Sequence, residues 1–107
     1  MIKKAIKKPV EIEYIEFKTL KRIWLDDHRE NAHFGFKYAA LERLEETGNG
    51  HNIHYVKEKD LFEIKTLEGT YEMTNKYHLI IGVKGEIYPC RIDIFELTYD
   101  KIEKENE

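Results

Sequence analysis

His51 and His54 stand three residues apart beside Gly48-Asn49-Gly50, the nearest this sequence comes to a metal-ligand spacing. His78, Cys90 and the Asp26-Asp27-His28 cluster are further possible donors. Zinc needs three or four converging ligands, usually from paired motifs, and a single His-x2-His beside a glycine turn reads more simply as a solvated loop. No metal is expected. Cys90 could serve as a nucleophile only with a base and a lowered pKa. Glu86, four residues earlier, would share its face on a strand, but no Cys-His-Asn framework accompanies the pair, so Cys90 is expected to pack as a small buried apolar residue. Glu68 and Glu86 could form a carboxylate pair, although both fall at hairpin turns. A P-loop, a dinucleotide fingerprint and a nucleophile elbow are all missing. The expectation is a protein that is not an enzyme and needs no cofactor.

Seven tyrosines and five phenylalanines remain. Tyr14, Phe17, Phe62 and Phe95 sit on patterned faces and are expected in the core. Tyr55, Tyr71, Tyr77 and Tyr88 are less clearly placed, and tyrosine suits binding surfaces because it gives contact area at low entropy cost and keeps a polar tip. A base could stack on such rings while Lys76, Lys84 or Arg91 meets phosphate. The candidate ligand-binding set is therefore Tyr71, Lys76, Tyr77, Lys84, Tyr88 and Arg91. The competing reading is ordinary amphipathic sheet residues.

These residues need elements to position them. Val10, Ile12 and Tyr14 alternate with Glu11 and Glu13, the period of a half-buried strand, and Pro9 suits its first residue. Ile15 and Phe17 continue on the other phase, which predicts either a bulge or a strand covered on both faces beyond Tyr14. Leu20, Ile23 and Trp24 predict a short amphipathic helix capped by Thr19. Residues 28–35 read as a loop, and Phe36–Glu46 returns to helical spacing before the glycine stop at 48–50. His54–Lys57 is a short possible strand. Leu61–Leu67 and Thr70–Thr74 flank Glu68-Gly69, and His78–Val83 and Glu86–Arg91 flank Lys84-Gly85, with glycine supplying positive φ in each turn. The two hairpins predict a four-strand meander to which the N-terminal strand adds a fifth. Pro89 predicts an edge or a bulge. Asp93 with Glu96 resembles a capping box, and Phe95 and Tyr99 would share one face of a short final helix, with a strand as the competing reading.

Composition bounds the class. The 107 residues suit one domain, and the 41% hydrophobic fraction argues against wholesale disorder, although 36% charged residues is well above the ~25% typical of globular chains. A net charge of −3 makes a polyanion binder unlikely as a description of the whole chain, and the single cysteine excludes an internal disulfide. Lys3, Lys4, Lys7 and Lys8 make the first ten residues +4, and residues 93–107 carry −4. Both ends read as solvated faces or frayed tails, and a nucleic-acid arm is the sharper alternative at the start. Neither a signal peptide nor a run long enough to span a bilayer is expected.

The string Thr66-Leu-Glu-Gly-Thr, then Gly82-Val-Lys-Gly-Glu-Ile-Tyr-Pro-Cys-Arg and Asp93-Ile-Phe-Glu-Leu-Thr-Tyr-Asp, resembles the PGDYG family of small phage and prophage proteins. Lys7-Lys-Pro-Val-Glu-Ile-Glu-Tyr-Ile-Glu-Phe resembles the family's N-terminal strand. These blocks, 7–17 and 62–100, cover 50 of the 107 residues, and 18–61 matches nothing. The Pro-Gly-Asp-Tyr/Trp turn that names the family would fall at 75–78, where this chain has Asn75, Lys76, Tyr77 and His78. Any role of the absent acid cannot be carried over, though Asn75-Lys76 can still turn the chain because asparagine tolerates left-handed φ. The resemblance implies a phage origin and a compact β-rich fold, and it implies no reaction.

The resulting expectation is a single α+β domain over residues 1–107. It holds an antiparallel, partly rolled sheet of about five strands with one or two short helices packed on it. Within it, 18–61 is a helical insert and loop, 62–100 holds two hairpins and a short helix, and 101–107 is an acidic tail. The leading functional expectation is a phage-encoded, non-enzymatic binding protein in the host cytoplasm that binds a host defence protein or sequesters a small nucleotide signal. The alternatives are a homo-oligomeric assembly module, joined through a sheet edge or the helix around Trp24, and a nucleic-acid-binding accessory protein.

Overall fold

The computed structural model describes residues 1–6, 8–28, 44 and 49–102, with the backbone alone at 26–28. Strand β1 (Glu13–Glu16) runs directly into helix α1 (Phe17–His28). After a 3-10 turn at Asn49–Asn52 come β2 (Ile53–Val56), β3 (Leu61–Thr66), β4 (Gly69–Met73), β5 (Tyr77–Ile81), β6 (Ile87–Arg91) and helix α2 (Ile92–Thr98). The fold is α+β, and neither sheet closes into a barrel.

The strands divide into two antiparallel three-stranded sheets, β1-β5-β6 and β2-β3-β4, where one sheet of about five strands is expected from the sequence. The reason is that a strand has two edges. Both edges of β5 are occupied, by β1 and by β6, so the meander cannot continue from β4 into β5. The chain changes sheets at Thr74–Tyr77, a turn closed by Tyr77 N–H donating to the Thr74 carbonyl at 3.1 Å. It overlaps positions 75–78, where the resemblance would put a Pro-Gly-Asp turn. Asn75 does not adopt positive φ; among the described non-glycine residues only Asp60 does, at 53°. His54–Val56 belongs to β2, which pairs with β3 and supplies the sixth strand.

Both glycine hairpins form. Gly69 has φ 130° and Gly85 φ 84°, conformations that residues with a Cβ rarely adopt. At Gly82 the requirement is space: a Cβ there would collide with the Glu86 carboxylate.

The phase change after Tyr14 has a single explanation. Tyr14 and Ile15 lie on opposite faces of a strand covered on both sides. Phe17, read above as strand, is the first helical residue. Thr19 is therefore inside α1 and does not cap it. Phe17, Leu20 and Ile23 form the buried stripe of α1, the i, i+3, i+6 spacing of one helical face.

One face of the first sheet (Ile15, Leu79, Ile81, Ile87) packs into the main core with Phe62, Ile64 and Met73 of the second sheet and Leu20 and Ile23 of α1. Leu44, the one described residue of the expected 36–46 helix, is helical and fully buried in the same core; the rest of that segment lies outside the described residues. The opposite face of the first sheet is closed by α2 through Phe95, which is 1% exposed. Arg91 is the N-cap of α2 and makes no side-chain cap bond, so the capping box expected at Asp93 does not form. Asp93 lies in the first turn, accepts from its neighbour Ile94 N–H, and pairs with Arg91 at 2.6 Å.

Candidate functional site

A cleft of about 390 Å³ opens between the two sheets, within the size range of small-ligand sites. Thr66–Glu68 and Tyr71 of the β3–β4 hairpin form one wall, and residues 86–89 at the start of β6 form the other. The register explains it. Along the core face of the β3–β4 hairpin the pairs run Phe62–Met73, Ile64–Tyr71, Thr66–Gly69. Phe62, Met73 and Ile64 are fully buried, while Tyr71 is 43% exposed and Leu67 fully so. The hairpin thus extends beyond the sheet it packs on, and its apolar face continues into solvent.

Both walls are held. Thr66 Oγ1 donates to the Gly69 carbonyl at 2.9 Å and accepts from Glu68 N–H at 3.1 Å, fixing the turn beside Tyr71. Opposite, the Glu86 carboxylate accepts from Lys84 N–H at 3.0 Å. Tyr88 shares a hydrogen bond with Tyr99; burial first, and that bond second, push the Tyr88 phenol well above its ordinary pKa of 10.0. It is a neutral group at any physiological pH. The charged side chains lining the cleft are both carboxylates, Glu68 and Glu86. They line one cavity, as a pair would, but the Glu86 carboxylate is engaged by its own turn.

Of the six residues expected to bind ligand, only Tyr71 and Tyr88 meet in this cleft. Lys84 is at the exposed tip of the β5–β6 hairpin. Lys76, Tyr77 and Arg91 gather at the other end of that hairpin, where Tyr77 pairs with Arg91 and the Lys76 carbonyl accepts from Ile92 N–H. There Tyr77 is half-buried against the main core, and Arg91 is bound to Asp93.

The possible metal donors are likewise dispersed. His51 is exposed, and His54 packs edge-on against Trp24 with centroids 5.9 Å apart. Among the described residues no group of three His, Cys, Asp or Glu could hold a metal; the side chains of 26–28 lie outside them. Cys90, expected to be buried, is half-exposed, with its thiol 3.6 Å from the Arg91 carbonyl oxygen. Trp24 packs on the core and lies edge-on to Phe62. Lys3, Lys4 and Lys8 are exposed and lie outside the regular elements.

The residue that sequence reasoning underrated is His78. It is 4% exposed, and among the described residues neither ring nitrogen has a hydrogen-bond partner. Tyr14 and Phe95 enclose it, with centroids 4.9 and 4.8 Å away. Burial lowers its pKa below the ordinary 6.5. The available signal was its place in Tyr77–Ile81, a nearly continuous apolar run of the kind found in strands buried on both faces.

Compared with family models, curated proteins and solved structures, the chain matches none. Among the described residues no helix is long and apolar enough to cross a membrane.

Proposed function

We propose that this chain is a non-enzymatic binding protein that takes a basic side chain of a partner protein into the cleft between the β3–β4 hairpin and β6. The observation that carries the reading is the lining itself: Tyr71 and Tyr88 on opposite walls, with Glu68 and Glu86 as the charged groups. Aromatic faces attract cations and carboxylates form charge-assisted hydrogen bonds with guanidinium and ammonium groups. With the phage origin that the PGDYG resemblance implies, the partner is a host protein, such as a defence protein in the host cytoplasm, and binding interferes with the host.

Sequestration of a small nucleotide is the second reading. The two tyrosines favour it, because a base can stack on them. The carboxylates oppose it, because they repel phosphate, and the basic residues expected to meet phosphate stand elsewhere. Calorimetric titrations separate the two. An arginine-rich hexapeptide should give heat with the native chain and little with Tyr71→Ala, and a cyclic dinucleotide should give none. Heat with the dinucleotide alone would transfer the site to the second reading, and no heat with either would remove the cleft as a ligand site.

A further inference from the structure

The second core, between the first sheet and α2, connects a titratable group to the cleft. His78 touches Phe95 of α2 at 4.8 Å between centroids, Phe95 stacks on Tyr99 at 5.1 Å, and Tyr99 is hydrogen-bonded to Tyr88, which lines the cleft. We propose that His78 and α2 form an acid-sensitive latch on the cleft: protonation of the imidazole loosens α2 from the sheet and releases Tyr88 from Tyr99. This assigns a regulation to the site proposed above and rests on that reading only for its consequence in binding.

The geometry gives the direction. A neutral imidazole fits among rings, but an imidazolium carries two N–H donors that need acceptors, and His78 has none among the described residues. Facing it are Tyr14 and Glu16 from β1, Cys90 opposite it on β6, Phe95 and Glu96 from α2, and Lys101 just beyond. Glu16 and Glu96 favour the cation and Lys101 opposes it, but loss of water around the ring outweighs them and holds it neutral. Water reaches the nitrogens most easily if α2 moves. That helix has seven residues, no side-chain cap, and Phe95 as its one buried side chain. Of its other apolar residues, Ile94 and Leu97 are 47% and 85% exposed and Ile92, at its start, is half-buried, so moving its later turn uncovers little beyond Phe95 and the cage.

The test is an NMR titration of the full chain from pH 8 to 5, without ligand. It follows the His78 ring, the amides of Phe95–Tyr99, the Tyr88 ring and the methyl of Met73, which is fully buried in the main core. His78 should titrate below 6.5, and the α2 and Tyr88 signals should move with the same midpoint while Met73 stays unchanged. In Tyr99→Phe, which keeps the aromatic cage, the α2 signals should still follow His78 but Tyr88 should lose most of its shift. In His78→Phe both responses should vanish. Tyr88 signals that stay flat while His78 titrates, or that keep their response in His78→Phe or Tyr99→Phe, would overturn the latch. Because no peptide is present, that failure leaves the binding reading standing, and a silent peptide titration leaves the latch standing.

Discussion

His78 stands edge-on to Phe95, with ring centroids 4.8 Å apart and planes at 87°. The imidazole is thus held in its neutral form by burial between Tyr14 and the helix that follows the next strand. Its folded pKa is lowered by burial while the unfolded chain keeps the ordinary 6.5. The unfolded state therefore binds the proton first as pH falls. This contribution to stability is full above about pH 6.5, is lost progressively as pH drops toward the folded pKa, and levels off below it. Guanidinium unfolding at pH 7.5 and pH 5 should show a lower midpoint at pH 5, and His78→Phe should narrow the difference.

Phe62 is fully buried and touches Phe17, Trp24 and Tyr55. It joins α1 to the second sheet. Phe62→Ala should cost about 3–5 kcal/mol by chemical denaturation, since it removes apolar contact and leaves a cavity.

Gly69 has φ 130° and open space around its Cα. The cost of Gly69→Ala is thus one of conformation alone, about 1 kcal/mol. Gly82→Ala differs: its methyl displaces the Glu86 carboxylate from Lys84 N–H. A Gly82→Ala, Glu86→Ala double variant should therefore lose less than the two single variants together, read from unfolding midpoints.

Pro89 pairs with Leu79 between the bonded positions of the β5–β6 ladder. Gly82 N–H donates to the Glu86 carbonyl at 2.7 Å and Ile92 N–H to the Lys76 carbonyl at 2.9 Å, and antiparallel alternation then puts the missing proline donor on the outer edge of β6. Proline blunts a sheet edge without breaking a ladder bond there. Pro89→Ala should change stability by no more than about 0.5 kcal/mol but raise self-association, measured by light scattering. A Pro89→Ala chain that stays as monodisperse as the native one would show that this edge does not limit pairing between copies.

Much of the local structure is legible in the residues, because it depends on near neighbours. A glycine at 69 or 85 between alternating apolar runs makes a hairpin, and its turn sets the register. The apolar spacing over 20–24 makes a helix, and the expected short final helix forms around Phe95, although it ends at Thr98 and leaves Tyr99 as its extended C-cap. The helix boundary at Phe17 is not legible, because Phe17 suits the strand's phase and the helix's stripe equally well.

What only the tertiary structure decided is the partition of those strands and the company each side chain keeps. Whether β5 pairs with β4 or with β1 depends on contacts more than sixty residues apart, beyond any local period. That choice split the expected sheet in two, opened the cleft where one sheet overhangs the other, and drew only Tyr71 and Tyr88 of the six expected binding residues into it. It also enclosed His78 between β1 and α2. Residue types determine what each group can do, and long-range pairing determines which groups meet.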